Sequence, residues 1–121
     1  MAVETIEKNR TVDVIIPVYK PDAVFETLLE RLGKQNYPIR RIIIMNTEQS
    51  FWKEDIYETV PNLEVHHVTK NEFDHGGTRN QGASYSEADI MVFMTDDAIP
   101  ADRELIGALV KGLSQKGPSG E

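Results

Sequence analysis

Residues 12–19 read Val-Asp-Val-Ile-Ile-Pro-Val-Tyr, a β-branched and almost continuously apolar run. Such a run has no polar face to turn to solvent, so it suits a strand covered on both sides, as in a parallel sheet. Pro17 cannot donate to a central ladder and is expected at the strand's carboxyl end. The signature returns in residues 39–45, centred on Ile42-Ile43-Ile44, and in 90–94, Ile-Met-Val-Phe-Met. Residues 63–69 alternate less cleanly and suit a strand nearer a sheet edge.

Between these runs lie helical patterns. Pro21-Asp22 opens the first, with Phe25, Leu28, Leu29 and Leu32 on one stripe and Tyr37-Pro38 closing it. Ser50 is the expected cap of a short helix reaching Val60, with Trp52, Ile56 and Val60 on one side. Residues 76–86 read as a glycine-interrupted helix. Residues 100–115 form the last, with Leu105, Leu109 and Leu113 on one stripe and Gly117-Pro118 stopping it. Strand and helix alternate four times. That order predicts an α/β fold: three-layer and Rossmann-like, with a mostly parallel sheet, helices on both faces and right-handed crossovers. The expected domain is 12–116, after a flexible segment 1–11 and before a flexible tail or truncation edge at 117–121.

Charge and composition remove several function classes. Thirteen Lys and Arg against twenty Asp and Glu leave −7, with a pI near 4.9. A general nucleic-acid binder or a basic membrane-surface protein would need the opposite sign. The absence of cysteine excludes disulfides, thiolate metal sites and Cys nucleophiles. The longest apolar stretches fall far short of a membrane span, and residues 1–10 lack the apolar segment of a signal peptide. A cytoplasmic protein is expected, one that can act at the inner face of the membrane.

In a doubly wound sheet, ligands bind beyond the carboxyl ends of the strands where the strand order reverses. The residues following each strand are therefore the ones to read for chemistry. Asp96-Asp97 follows the fourth strand directly. Adjacent carboxylates there repel each other and call for a counter-charge; a hard cation such as Mg²⁺ or Mn²⁺ would supply it, with diphosphate oxygens completing its shell. Turn chemistry is the competing explanation, because Asp favours turns whatever the function. In Asp74-His75-Gly76-Gly77-Thr78-Arg79-Asn80-Gln81-Gly82 the glycines are costly for helicity. They make sense where backbone or ligand approaches closely, and Arg79 lies where it can meet a diphosphate or the two aspartates. Tyr19 offers a flat ring for a nucleobase, and Asn46 and Thr47 offer hydrogen bonds to a base edge. Zinc held by His66, His67 and His75 is not expected, because neighbouring residues of a strand face opposite ways.

Rival families with this alternation fail by position. A dinucleotide-binding domain or a P-loop needs a glycine-rich turn after the first strand, where this chain has Pro17-Val18-Tyr19-Lys20-Pro21. Receiver domains and aspartyl phosphatases place their acids after the first strand, not the fourth. A nucleotidyltransferase would want a glycine-rich basic loop near the first strand, and none is present.

Four ordered blocks carry a resemblance: residues 12–19; Leu-Leu-Glu-Arg-Leu-Gly-Lys-Gln-Asn-Tyr-Pro (28–38); Phe-Asp-His-Gly-Gly-Thr-Arg-Asn-Gln-Gly (73–82); and Phe-Met-Thr-Asp-Asp-Ala-Ile-Pro (93–100). Together they resemble the amino-terminal half of family 2 inverting glycosyltransferases, the third block being most similar to rhamnosyltransferase-like members. The resemblance implies a truncated glycosyltransferase A-type fold, a nucleotide-diphosphosugar donor (UDP- or dTDP-sugar), a saccharide or lipid-linked acceptor and a divalent cation, Mg or Mn. It implies nucleotide contacts from Pro17, Tyr19, Asn46, Thr47, Asp74, Arg79 and Asp96, and metal ligation by Asp97 with Asp96. Family members usually carry an Asp after the second strand that accepts the base N3–H; this chain has Asn46-Thr47-Glu48, whose Asn and Thr oxygens also accept. The family's catalytic base lies in a carboxyl-terminal half, so it is expected downstream of Glu121. A homodimer is a further expectation, since a cut domain exposes sheet edge and apolar surface. The alternative function is a nucleotide-binding or scaffold module without turnover.

Overall fold

The computed structural model describes residues 10–58, 60–71 and 75–116; the side chains of 75, 76 and 113–116 lie outside that description. Asp74, the side chains of His75 and Leu113, and nearly all of the expected terminal segments therefore fall outside the described residues. The elements are β1 (Val12–Tyr19), α1 (Ala23–Gly33), β2 (Arg41–Thr47), a 3-10 turn (Gln49–Phe51), α2 (Glu54–Tyr57), β3 (Leu63–Val68), α3 (His75–Ser84), β4 (Ile90–Phe93) and α4 (Leu105–Lys116).

The four strands form one sheet in the order β3-β2-β1-β4, and every pairing is parallel. β1 pairs with β2 from Asp13↔Arg41 to Tyr19↔Thr47, but with β4 only from Val12↔Ile90 to Ile15↔Phe93. The last bond on the β4 side runs from the Met94 N–H to the Ile15 carbonyl at 3.0 Å. Pro17, two residues on, turns its main chain the same way, past the end of β4, so its missing N–H removes nothing from the ladder.

Helices cover both faces, as the α/β reading requires. On one side Val12, Val14, Ile16 and Val18 pack with Ile42, Ile44 and Ile90 under Phe25, Leu28, Leu29 and Leu32 of α1, Tyr57 of α2, and Ile106 and Val110 of α4. On the other, Ile15, Ile43, Met45 and Val68 lie under Ala83 and Tyr85. Gly82 sets the second spacing: a Cβ there would stand 2.8 Å from Ile15 Cγ2 and 3.2 Å from Met45 Cγ. Among the described residues no helix is long and apolar enough to cross a membrane.

Several boundaries differ from the sequence reading, each for a local reason. Asp22 is the N-cap of α1, accepting from the N–H of Val24 at 3.1 Å and Phe25 at 3.4 Å. α1 ends at Gly33, short of Tyr37-Pro38, because the following residues bond elsewhere: Asn36 N–H donates to the Arg103 carbonyl at 2.7 Å and Tyr37 Oη to that of Arg10 at 2.6 Å. β2 continues through Asn46 and Thr47, since β1 offers it a ladder up to Tyr19. The helix expected from Ser50 to Val60 is a 3-10 turn and a single turn of α2. Trp52 and Tyr57, not Ile56, face the core, where both rings meet Phe25 with centroids 5.8 and 5.3 Å away. α4 starts at Leu105 rather than residue 100 and buries Ile106 and Val110, leaving Leu109 exposed. β4 is an edge strand, so Met91 and Phe93 are exposed despite the solid apolar run.

Candidate functional site

The chain runs outward from β1 to β2 and β3, then crosses back over β1 to β4. The strand order therefore reverses between β1 and β4, and a cleft opens at their carboxyl ends. Pro17, Val18 and Tyr19 form one wall; Phe93, Met94, Thr95 and Asp96 form the other; Arg79 reaches in from α3. Among the sequence candidates, Pro17, Tyr19, Arg79 and Asp96 thus meet in one place.

The local sequence explains each placement. Tyr19 closes β1, and its ring is 39% exposed at the rim. The short β4 hands over to a turn at Thr95-Asp96-Asp97, closed by the Ala98 N–H to the Thr95 carbonyl at 3.2 Å. That turn brings Asp96 beneath Tyr19, whose main-chain N–H donates to Asp96 Oδ2 at 3.4 Å. Burial pushes the Asp96 pKa above its ordinary value; the Tyr19 N–H pulls it back, and the Asp97 charge raises it further. Asp97 is exposed, with Oδ1 accepting from the Thr95 hydroxyl at 2.8 Å. Arg79 lies about one turn into α3, its guanidinium carbon 4.9 Å from the Phe93 ring centroid.

Among the described residues no three His, Cys, Asp or Glu side chains group so as to hold a metal ion. Asp96 and Asp97 are adjacent carboxylates at the end of β4. Their mutual repulsion and the desolvation of Asp96 fit a hard cation that takes its remaining oxygens from a ligand.

Asn46 and Thr47 are not among the residues lining the cleft; both are fully buried. Asn46 Nδ2 donates to the Glu48 carbonyl at 3.3 Å and lies 3.1 Å from His67 Nδ1. Asn46 Oδ1 and Thr47 Oγ1 have no hydrogen-bond partner among the described residues. His66 and His67 face opposite ways, as strand alternation requires: His66 stacks on Tyr85 at 3.8 Å, while His67 meets Trp52 at 6.0 Å.

The sequence reading missed the surroundings of the Tyr19 ring. Phe51 meets it edge-on at 5.9 Å, and the ammonium groups of Lys20 and Lys70 stand 5.3 and 5.7 Å from its centroid. Lys20 was findable as the residue after β1. Phe51 and Lys70 come from the connections after β2 and β3, and only the strand order brings them to Tyr19.

A parallel sheet wound in both directions, with a cleft at its reversal that gathers an aromatic ring, a guanidinium and a carboxylate, defines the ligand-binding class of open α/β domains. Within that class the chain belongs to glycosyl transferase family 2, whose family model matches residues 13–120. It is 32% identical over 107 residues to the O-antigen chain rhamnosyltransferase RfbN of Salmonella typhimurium, covering 82% of this chain and 32% of that protein. It is 29% identical over 105 residues to the O-antigen chain rhamnosyltransferase WbaN of Salmonella anatum, covering 85% of this chain and 33% of that protein. The chain thus spans about a third of the length of the curated relatives it matches. Its fold is shared with S. aureus TarS 1–349 at a TM-score of 0.70 and 22% identity, over 87% of this chain and 32% of that one. The same protein in complex with UDP-GlcNAc superimposes at 0.67, with 21% identity and 87% and 31% coverage.

Proposed function

We propose that this chain supplies the donor site of a glycosyltransferase, binding a nucleotide-diphosphosugar in the cleft between β1 and β4. The observation that carries the reading is the meeting of Tyr19, Arg79 and Asp96 at the reversal of strand order in a family 2 chain. The two curated relatives support rhamnose as the sugar and an O-antigen saccharide as the acceptor. The complex of TarS with UDP-GlcNAc supports a nucleotide-linked donor.

In this reading Tyr19 lies against the base, Pro17 lines the same wall of the cleft and Arg79 faces the diphosphate. Asp96 and Asp97 would hold a divalent cation, Mg²⁺ or Mn²⁺, which when bound would neutralise charge on the departing diphosphate. Arg79 adds positive charge to the same leaving group. Asn46 and Thr47, buried at the end of β2, are assigned to shaping that strand end. In this reading transfer to the acceptor hydroxyl inverts the anomeric carbon with the help of a general base.

Calorimetric titration of the chain with UDP or dTDP, with and without Mn²⁺, tests this. Binding strengthened by Mn²⁺ and weakened by Asp97→Ala is the expected result. No binding by the folded chain, or binding unaffected by Asp97→Ala, overturns the donor site. A donor-hydrolysis assay separates an enzyme from a nucleotide-binding module: metal-dependent sugar release supports turnover.

A further inference from the structure

β3 ends the sheet, with β2 on one side and no strand on the other among the described residues. Its ladder to β2 runs without a bulge from Ile42↔Leu63 to Thr47↔Val68. At the two ends, the Ile42 N–H donates to the Asn62 carbonyl at 3.0 Å and the Glu48 N–H to that of Val68 at 2.7 Å. Main-chain groups alternate sides along a strand, so Glu64, His66 and Val68 face β2 while Leu63, Val65 and His67 face outward. The Leu63 N–H folds back on the Val60 carbonyl at 3.3 Å. The Leu63 carbonyl, the Val65 N–H and carbonyl, and the His67 N–H have no main-chain partner among the described residues. An open edge is a template for another strand, and proteins blunt it with proline, lysine or a bulge. Residues 63–68, Leu-Glu-Val-His-His-Val, contain none of these.

The side chains of this edge complement a copy of themselves. Glu64 and His66 lie on the α3 face, beside Ile43 and Met45, with Glu64 Oε2 2.7 Å from His66 Nε2. Leu63 and Val65 lie on the other face against the core. Two antiparallel copies of β3 about a two-fold axis at Val65 would set each Val65 opposite the other, Leu63 opposite His67, and Glu64 opposite His66. In that register outward-facing main-chain groups meet one another: Val65 exchanges both bonds with its copy, and the His67 N–H donates to the Leu63 carbonyl. Glu64 and His66 take the positions without main-chain bonds, where opposed Cβ atoms come closest, about 4.5–5.5 Å. A slip of two residues puts Glu64 against Glu64 or His66 against His66. A slip of one sets outward groups against inward ones.

We propose that the β3 edge is the contact between two copies of this chain, joined antiparallel at Val65 into one sheet continuous across both. The inference is independent of the donor site. β3 and β4 are opposite edges of the sheet, so the cleft between β1 and β4 stays open in each copy. Copies of net charge −7 repel at a distance, and a contact between them needs local balance. Here each carboxylate meets an imidazole. A second copy is favoured over an unrelated strand because the Glu64–His66 match then occurs twice, once on each side of the axis. The β4 edge, Ile90–Phe93, is shorter and carries no charged residue to set a register.

Sedimentation of the full chain from micromolar to millimolar concentration tests this, with thermal melts reporting the fold of each variant. The mass should rise from 13.7 kDa toward twice that value. Amide exchange at Val65 and His67 should slow with concentration, while Glu64 and His66, already bonded to β2, should change little. Glu64→Lys sets a cation against the imidazole, and His66→Glu sets two carboxylates together; each should weaken self-association by about tenfold. Mixed in equal amounts, the two variants oppose the new lysine to the new carboxylate on one side of the axis and keep the native Glu64–His66 pair on the other. The mixture should therefore associate within about threefold of wild type. A chain that stays at 13.7 kDa throughout overturns the proposal, as does a mixture no better than either variant alone. Concentration-dependent protection at Ile90–Phe93 in place of Val65 and His67 moves the contact to the β4 edge and also overturns it.

Discussion

The main-chain N–H of Tyr19 donates to Asp96 Oδ2 at 3.4 Å, joining positions 77 apart in sequence. Through this bond the end of β1 sits directly over the acid that follows β4. The desolvated carboxylate raises the Asp96 pKa against the opposing pull of that N–H. In the metal-free chain the native state therefore holds this proton to higher pH than the unfolded chain does. The stability contributed by Asp96 is full below its unfolded pKa and is lost as pH rises through the folded one. Asp96→Asn, which cannot ionise, should melt above wild type near neutrality in the presence of a chelator. The gap should close as the pH falls below the ordinary carboxylate range. Thermal melts across that range check the sign; a variant less stable than wild type at neutral pH contradicts it.

At Gly82, α3 lies close against the sheet. Gly82→Ala places a methyl within 2.8 Å of Ile15 Cγ2, on a fully buried β-branched residue that has little room to move. The expected loss is about 1–3 kcal/mol. Gly112→Ala in α4 meets nothing within 4 Å and should gain about 0.5–1 kcal/mol from helix propensity alone. Urea melts of the two variants should move in opposite directions.

Asp13 is fully buried in the central strand. It is held by Arg40 Nη2 at 2.7 Å and by the Ser86 hydroxyl at 2.6 Å. Removing the guanidinium leaves a buried carboxylate without its counter-charge. Arg40→Met should therefore lower Tm more than Arg41→Met, whose exposed guanidinium reaches the half-buried Glu64 only at 3.7 Å. Equal losses would show that the Asp13 pair adds nothing beyond a surface contact.

Arg79 tests the diphosphate end of the cleft. It lies against the exposed ring of Phe93, so Arg79→Ala should leave Tm nearly unchanged. The same variant should weaken UDP and inorganic pyrophosphate alike, by about tenfold. Loss of UDP binding alone would place Arg79 at the base or ribose instead.

Much of the architecture was legible because apolar runs leave few choices. Val12-Asp13-Val14-Ile15-Ile16 could only be an interior strand, and the alternation of such runs with helical stripes dictated parallel pairing and covered faces. The cleft was readable in part for the same reason: in a parallel sheet, the residues after each strand share one edge. Strand order was not readable, and it decides which ends are neighbours. Hence strand ends alone pointed Arg79 and Asp96 toward the cleft they line, while Phe51 and Lys70 beside Tyr19 needed the strand order. Asn46 and Thr47 lie within β2 rather than after it, because the ladder with β1 draws both into the strand. The region around Trp52 failed because aromatic packing on Phe25 outweighed the weak capping signal of Ser50.

The two walls of the cleft come from strands far apart in sequence, β1 beginning at Val12 and β4 closing at Phe93. Because β4 is zipped to β1 over only four residue pairs, the cleft exists only while that edge strand stays docked. Occupancy by any ligand therefore acts as a latch on that edge. Amide hydrogen exchange along Ile90–Phe93 would report ligand engagement sooner than any probe placed on the central pair β1 and β2.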